Sequence, residues 1–236
     1  MYRHDLVVIG AGIIGLSCAY HMKVEHPEAN ILVLDKADHA ASGDTSKSAG
    51  AVRNTFTSEV NYLLADTSLD FYTHIQKDLQ TNLDLEFVGY LWLLTEEQYQ
   101  AFKGIMKLMT DRGIQFKIWN KEDLHEKVKG LCLEFGFDEE ARALGLGNIS
   151  AGVQGIKCGT IVPEFVAGFY ERELRDLDVK IMYNNEVTSF ILGPVEGLEM
   201  AKRASYLAGQ EYQRCQDKER RFFRQDYCSC GRPMGK

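Results

Sequence analysis

The sequence lacks the features of several large functional classes. No run of apolar residues approaches the length of about 18 that spans a bilayer, so we predict no transmembrane segment. The N-terminus has no basic region followed by a long apolar stretch, and we expect no signal peptide. Basic residues are outnumbered, with 27 Lys and Arg against 34 Asp and Glu, and this acidic balance argues against a nucleic-acid partner.

The residue spacings of metal sites and nucleophilic catalytic sets are also missing. The six histidines show no ligand spacing and the six cysteines form no pair of C-x-x-C motifs, so we predict no metal site. We find no Ser-His-Asp or Cys-His arrangement. The scattered cysteines give no disulfide framework, which favours a reducing, cytoplasmic location.

What the sequence contains first is a strand, a helix and a second strand. The apolar run "LVVI" from Leu6 to Ile9 predicts a strand buried on both faces. A helix is expected from Ile13 to Val24, and "ILVLD" from Ile31 to Asp35 predicts the next strand. This order is typical of a crossover unit in a parallel sheet, so the predicted fold class is α/β.

The sequence also predicts where three later helices begin. Thr57 can cap a helix whose apolar face includes Val60, Leu63 and Leu64. Thr95 and Gln98 form a capping-box pattern at the start of the next helix. Pro163 suits the first turn of another helix, with Phe165 directed inward.

Three glycines lie where the first strand passes into the helix. Gly10 permits the tight turn, Gly12 lets the backbone approach a pyrophosphate, and Gly15 lets the helix lie close to the strand. Asp35, at the end of the second strand, is placed to accept hydrogen bonds from ribose hydroxyls. NAD and FAD both fit this pattern, and the structural alternative is a packing turn that binds nothing.

The loop after the second strand distinguishes between the two cofactors. With "VVIGAGIIGLSCAYHM" and "LVLDK", the loop "ASGDTSKSAGAVR" resembles the D-amino-acid oxidase, sarcosine oxidase and glycine oxidase family of FAD-dependent oxidoreductases. The resemblance continues through "GYLWLLTEEQ" and "GIKCGTIVPEFVAGF" to about Phe190. It implies that the cofactor is FAD, bound by a Rossmann-like parallel-sheet domain. A flexible surface linker is the alternative reading of the loop.

The resemblance implies which residues contact FAD. They lie in the glycine turn, at the end of the second strand, in the loop and near a later strand. The residues are Gly10, Gly12 and Gly15 for the pyrophosphate; Asp35 and Lys36 for the adenosine; Thr45 and Ser46 for phosphate and ribityl oxygens; Ser48, Ala49 and Gly50 for the isoalloxazine ring; and Val187 for the adenine.

Arg53 is the candidate catalytic residue, because it is the charged group close behind the loop. Its forked guanidinium suits a substrate carboxylate, or it could steady a reduced, anionic flavin. The alternative is a solvated arginine at the entry to a helix.

The predicted domain organisation is an FAD-binding domain interrupted by a smaller mixed α+β substrate domain. The FAD-binding domain comprises residues 1–84 and 155–192, and residues 85–154 form a partial substrate domain. Residues 193–236 form a divergent basic tail, whose last 38 residues carry 9 Lys or Arg against 5 Asp or Glu. The family's late strand ending in an alanine-glycine motif is not recognisable there. We therefore expect no strand after Leu192 and no contribution of the tail to the core sheet.

These features predict an FAD-dependent enzyme that oxidises a sarcosine-like amine or amino acid by hydride transfer to the flavin. The substrate would be a small molecule, and a partner subunit or separate electron acceptor is possible. Two alternatives stay open. One is a truncated, non-catalytic FAD-binding homologue or subunit, and the other is an FAD-dependent 2-hydroxy-acid dehydrogenase.

Overall fold

The computed structural model describes residues 3–194, 210–216 and 221–227. The strands in these residues are β1 (Arg3–Ile9), β2 (Ile31–Leu34), β3 (Ala51–Arg53), β4 (Tyr90–Thr95), β5 (Phe116–Asn120), β6 (Ile149–Gly155), β7 (Cys158–Thr160), β8 (Lys180–Met182), β9 (Ser189–Pro194), β10 (Gln210–Gln216) and β11 (Arg221–Tyr227). The helices are α1 (Ile13–Glu25), α2 (Glu59–Lys77), α3 (Glu96–Asp111), α4 (Lys121–Lys127), α5 (Glu139–Ala143) and α6 (Pro163–Asp176).

The chain divides into two compact units. The first unit comprises Met1–Ser48 and Pro163–Lys236, and the second unit comprises Ala49–Val162. The limits of these units follow from how compactly the chain packs. The boundaries of the FAD-binding and substrate domains given above divide the chain by function, and they stay predictions.

The first unit is built on a six-stranded sheet with the order β8-β2-β1-β11-β10-β9. The predicted crossover unit is present, because β1 and β2 run parallel with α1 between them in the chain. Every residue of β2 is buried, as the continuous apolar run indicates. The α/β fold class is therefore confirmed. Strands β8, β2, β1 and β11 pair in parallel, whereas β10 pairs antiparallel with β11 and β9.

Helix α6 packs against α1 in the first unit. It begins at Pro163, as predicted, because proline's fixed φ and missing N–H suit the first helical position. Tyr20 of α1 contacts the rings of Phe169 and Tyr170 at centroid distances of 6.0 and 5.5 Å. Phe165, which the sequence pattern places inward, is instead exposed.

The expectation that the tail contributes no strand is wrong. Strand β11 pairs in parallel with β1, with Arg3 opposite Phe223, and β10 joins β11 to β9 through antiparallel pairing. Main-chain pairing between strands does not require alternating apolar residues. Because the sequences of β10 and β11 are largely polar, their hydrophobic pattern did not predict two strands. Strand β11 thus lies beside β1 in the sheet, and β10 lies between β11 and β9.

The second unit contains a three-stranded antiparallel sheet with the order β4-β6-β5 and a two-stranded pair of β3 with β7. Leu94 of β4, Met106 of α3 and Val153 of β6 form a buried cluster on one face of the larger sheet. Helix α3 begins with the predicted capping box, in which Thr95 and Gln98 each accept a main-chain N–H from the other. The central strand, β6, is not indicated by the local sequence pattern.

Helix α2 departs from its predicted orientation. Its N-cap is Ser58 rather than Thr57, and the side chains of Val60, Leu63 and Leu64 are exposed although the helical spacing places them on the apolar face. In residues 3–194, 210–216 and 221–227, no helix has the length and apolar character needed to cross a membrane.

Candidate functional site

The turn between β1 and α1, residues 10–15, is held by main-chain contacts of its glycines. Gly10 has a φ of +105°, a conformation that favours glycine, and its N–H donates to the carbonyl of Leu34 at 2.8 Å. A Cβ atom at Gly15 would lie 1.9 Å from the Gly10 carbonyl oxygen. The helix therefore approaches the turn more closely than any side chain at position 15 would allow.

Asp35 anchors this turn from the end of β2. Its Oδ2 accepts the N–H of Ala11 at 2.5 Å, and its Oδ1 accepts the N–H of Ala37 at 2.8 Å. Both carboxylate oxygens thus have fixed directions, and each keeps a lone pair for another donor because a carboxylate offers about four acceptor sites. Lys36, the neighbouring predicted adenosine contact, is exposed.

Thr45 approaches the turn from the loop that follows β2. Its Oγ1 accepts the N–H of Ile13 at 3.1 Å, which satisfies one of the unpaired donors at the start of α1. A Cβ atom at Gly12 would lie 3.1 Å from the same oxygen. Since the threonine oxygen accepts here, its own O–H proton remains available to donate elsewhere.

The geometry of the turn fits a phosphate group. Among the described residues, no acceptor is found for the N–H groups of Gly12 and Ile14, which lie at the N-terminus of a 13-residue helix. Free main-chain donors and the positive end of the helix dipole together favour an anion. The missing side chain at Gly12 leaves room beside these donors.

The remaining loop residues differ in exposure. The hydroxyl of Ser46 donates to the carbonyl of Gly43 at 3.1 Å, while the side chains of Ser48 and Ala49 are exposed. Gly50 is buried with a φ of +66°, and its carbonyl accepts the N–H of Ile161 at 2.9 Å. Ala49 and Gly50 belong to the second unit.

Val187 lies just before β9 in the first unit. Its half-buried side chain packs against the cluster of Val7, Leu32 and Leu34. Its side chain therefore serves the core of the sheet, and only its main chain is left for the predicted adenine contact.

Arg53, at the end of β3 in the second unit, is surrounded by aromatic rings. Its guanidinium carbon lies 5.0 Å from the ring centroid of Phe56, 5.8 Å from that of Tyr90 and 5.9 Å from that of Trp92. These distances fall within the range of cation–π attraction. Within the described part of the chain, no carboxylate lies within 4.0 Å of this exposed side chain.

A cavity of about 460 Å³ opens beside Arg53, and we call it the Arg53 cavity. Its walls come from β3, the segment after it, α2 and the start of β4. The lining residues are Ala51, Val52, Arg53, Phe56, Ala65, Ser68, Leu69, Tyr72 and Tyr90. Burial raises the pKa of Tyr72 above its usual range, so the phenol stays neutral at physiological pH.

An ion-pair network links α2 to the turn between β6 and β7. The Lys157 ammonium donates to Oδ1 of Asp66 at 2.8 Å and to Oδ1 of Asp70 at 2.6 Å. Partial burial opposes the charges, but hydrogen bonds from Lys157 and Asn54 lower the pKa of Asp66, and the two carboxylates raise the pKa of Lys157. The network fixes the helix that forms one wall of the Arg53 cavity.

Asn54 belongs to the same network. Its side-chain N–H donates to Oδ1 of Asp66 at 2.9 Å, and the residue is almost fully buried. Its side-chain oxygen has no hydrogen-bond partner among the described residues. The sequence analysis missed Asn54, Asp66 and Lys157, whose separation along the chain gives no recognisable spacing.

The sequence is similar to known flavoproteins. The profile of the family described as "DAO: FAD dependent oxidoreductase" matches residues 5–208. The FAD-dependent oxidoreductase domain-containing protein 1 of Bos taurus is 30% identical over 153 residues, which cover 58% of this chain and 32% of the relative. The sarcosine oxidase subunit beta of Rhodobacter capsulatus is 22% identical over 187 residues, which cover 79% of this chain and 43% of the relative.

The fold is similar to that of solved amino-acid-oxidising enzymes. The crystal structure of L-proline dehydrogenase from P. horikoshii superposes with a TM-score of 0.74 at 18% identity, covering 94% of this chain and 51% of that chain. Glycine oxidase from Geobacillus kaustophilus superposes with a TM-score of 0.69 at 16% identity, covering 95% and 54%. The chain thus spans about a third to a half of the length of the proteins it matches.

Proposed function

Because this chain belongs to the DAO family of FAD-dependent oxidoreductases, we propose that it takes part in the oxidation of an amine or amino acid by hydride transfer to FAD. The family is FAD-dependent, which confirms FAD rather than NAD as the predicted cofactor. The substrate, the activity of the whole protein and its partners are proposals, since the chain spans only part of its relatives.

The first unit would hold the phosphates and the adenosine of FAD. Gly12 and Ile14 would donate their main-chain N–H groups to the pyrophosphate, and Thr45 would add its hydroxyl proton. Asp35 would accept a ribose hydroxyl with the lone pairs that Ala11 and Ala37 leave unused. The same unit would place the main chain at Val187 against the adenine and Lys36 at the adenosine end.

The loop that follows would provide the contacts to the rest of the cofactor. Ser46 would bond ribityl oxygens, and the small residues Ser48, Ala49 and Gly50 would let main-chain N–H groups approach the isoalloxazine ring. FAD, when bound, supplies an acceptor for the hydride that leaves the carbon next to the amine nitrogen. The protein groups bind and orient the substrate for that transfer.

Arg53 would hold the substrate carboxylate. Its guanidinium has a planar pair of donors suited to a carboxylate. The aromatic rings of Phe56, Tyr90 and Trp92 limit its movement without neutralising it. The absence of a carboxylate partner among the described residues leaves that donor edge for a ligand.

The observation that carries the proposal is the Asp35 carboxylate, which accepts the N–H of Ala11 in the glycine turn and the N–H of Ala37 beside it in the chain. These bonds fix an acidic side chain beside free donors at a helix N-terminus, which is the donor and acceptor set that a dinucleotide requires. The similarity to sarcosine oxidase subunit beta and to L-proline dehydrogenase supports an amino compound as substrate.

A second candidate function is that of an FAD-binding subunit without its own catalysis. The similarity to sarcosine oxidase subunit beta supports it, because that relative is a subunit by name. The two candidates differ in whether the chain alone reduces its flavin. The cytoplasmic location also remains a prediction, based on cysteine usage.

The experiment starts with purified protein that is denatured to release any bound nucleotide, followed by identification of the nucleotide by mass. We expect FAD, and release of a nicotinamide nucleotide would contradict the proposal. The flavin-loaded protein is then mixed anaerobically with sarcosine, proline, phenylalanine or lactate. Loss of visible flavin absorbance with an amino compound supports amine oxidation. Reduction by lactate alone favours a 2-hydroxy acid, and no reduction favours the non-catalytic subunit.

A further inference from the structure

The Arg53 cavity is larger than a sarcosine-like substrate requires. Its volume of about 460 Å³ lies within the range of roughly 300–1,000 Å³ that is usual for sites of drug-sized ligands. Sarcosine has no side chain and would leave most of this space unfilled. A ligand that removes the apolar walls from water gains binding energy in proportion to the area it covers.

The lining of the cavity is apolar except at defined points. Ala65, Leu69 and Phe56 provide aliphatic and aromatic surface, whereas Arg53 is the charged group among the lining residues. Tyr72 is neutral, since burial raises the pKa of its phenol. The cavity therefore offers a fixed positive charge next to a large apolar volume.

The hydroxyl of Ser68 does not need a hydrogen-bond acceptor on the ligand. It donates to the carbonyl of Leu64, four residues earlier in α2, at 2.7 Å. A substrate group beside it consequently meets a hydroxyl that is already paired. This leaves Arg53 as the group that fixes the orientation of a ligand, through its charge.

We propose that the Arg53 cavity binds an amino acid with a bulky apolar or aromatic substituent, with the carboxylate on Arg53 and the substituent in the cavity. This inference rests on the proposed function for the oxidation itself, but the binding preference can be measured separately. It narrows the substrate class from any sarcosine-like amine to carboxylates of larger size.

Binding is tested on the FAD-loaded protein with three probes that cannot be oxidised as amines. Titration calorimetry with phenylacetate, acetate and phenylacetamide separates the apolar group from the charge. We expect phenylacetate to bind about tenfold or more tighter than either of the others. Equal affinities for phenylacetate and acetate would overturn the role of the cavity, and equal affinities for phenylacetate and phenylacetamide would overturn the role of Arg53.

Two substitutions on neighbouring positions of α2 give a matched comparison. Ser68→Phe places a ring in the cavity, whereas Thr67→Phe places one on the same helix at a residue that does not line it. Each change removes a hydrogen bond of 2.7 Å to the carbonyl four residues earlier, and the control also removes a longer bond of 3.3 Å from Thr67 to the Leu64 carbonyl. Ser68→Phe should weaken phenylacetate binding about tenfold, while Thr67→Phe should leave it unchanged. The same loss in both variants would contradict the proposal.

Arg53→Met provides a test that does not depend on filling the cavity. The exposed side chain can be replaced without opening the core, and we expect phenylacetate and phenylacetamide to bind equally in this variant. Flavin content and the thermal midpoint of unfolding are measured alongside, so that a folding defect is recognised. Retained preference for phenylacetate would overturn the assignment of Arg53.

Turnover then separates this inference from the proposed function. We expect N-methylphenylalanine to reduce the flavin with a kcat/KM about tenfold or more above that of sarcosine. Equal values would overturn the inference while the proposed amine oxidation stands. Selective phenylacetate binding without reduction by any amino compound would support the inference on ligand class and contradict catalysis by this chain.

Discussion

The glycine turn of the first unit and the Arg53 cavity of the second unit are built in different ways. The turn is formed by main-chain groups of residues 10–15, and the side chains of Asp35 and Thr45 accept two of its N–H groups. Side chains from β3, α2 and β4 form the cavity. The proposed cofactor contacts therefore depend mainly on main-chain donors and a few anchoring side chains, whereas the proposed ligand preference depends on side chains that a single substitution can change.

We expect the largest effect from adding a side chain at Gly15, where the helix approaches the turn most closely. Gly15→Ala would place a Cβ atom 1.9 Å from the Gly10 carbonyl oxygen, and both atoms belong to packed main chain. We expect the free energy of unfolding in urea to fall by about 3 kcal/mol or more. The matched control is Gly168→Ala in α6, where nothing lies within 4 Å, and it should stabilise by about 0.5–1 kcal/mol. Equal effects would disprove the close approach.

The second prediction concerns the side-chain network that supports the cavity wall. Lys157→Met leaves Asp66 and Asp70 without their cation, and we expect a loss of about 2 kcal/mol in unfolding free energy. Lys121→Met, which breaks the more exposed pair with Glu134, should have a much smaller effect. If both variants lose the same stability, the network does not hold α2.

The contribution of this network should also depend on pH in a defined window. The folded pKa of Asp66 is below its ordinary value of 3.8, so its stabilising effect is present above pH 3.8 and is lost as the pH falls through the folded value. The folded pKa of Lys157 is above 10.5, so its effect is present below pH 10.5 and is lost as the pH rises further. The difference between wild type and Lys157→Met should be constant within this window, and a maximum near neutrality would contradict the assignment.

A smaller effect is expected at Gly12, where we propose that the missing side chain leaves room for the pyrophosphate. Gly12→Ala brings a Cβ atom within 3.1 Å of Thr45 Oγ1, the end of a side chain that can shift, and the φ of −78° suits alanine. The fold should persist while affinity for FAD falls about tenfold, or about 1.4 kcal/mol, because the atom occupies space near the phosphate donors. Flavin titration of the apoprotein measures this change. Unchanged affinity would show that Gly12 serves only the turn.

The smallest effect belongs to the side chain that joins the loop to the turn. Thr45→Val removes the oxygen that accepts the N–H of Ile13, and we expect unfolding free energy to fall by about 1 kcal/mol, as for other N-terminal helix caps. Thr45→Ser keeps an oxygen at this position and serves as the control. A comparable loss in both variants would mean that packing of the threonine methyl group, rather than the hydrogen bond, accounts for the stability.

The sequence predicted those parts of the fold that depend on local chemistry. The strand–helix–strand order, the capping box at Thr95 and the start of α6 at Pro163 follow from short-range rules and are confirmed. The choice of FAD is confirmed by the family. The individual cofactor contacts and the catalytic assignment of Arg53 stay predictions, because they concern a bound molecule.

Elements that depend on distant partners could not be predicted in the same way. Strand β6 contains Gly152 and Gly155, which weaken a local strand signal but leave room for Leu91 and Cys158. The exposure of Val60 and Leu63 in α2 likewise depends on what the rest of the unit covers, and helical periodicity alone does not report it. The aromatic rings around Arg53 form no recognisable sequence motif, because they come from separate segments of the chain.

The pairing of β1 with β11 has a consequence for how the protein folds. Arg3 lies opposite Phe223, so one edge of β1 finds its neighbour only after about 220 further residues have been synthesised. Pairings between such distant residues slow folding, and an unpaired strand edge is open to association with other chains. The second unit, Ala49–Val162, is continuous in sequence and has no such delay. During translation, its backbone amides should gain protection from hydrogen exchange before those of β1.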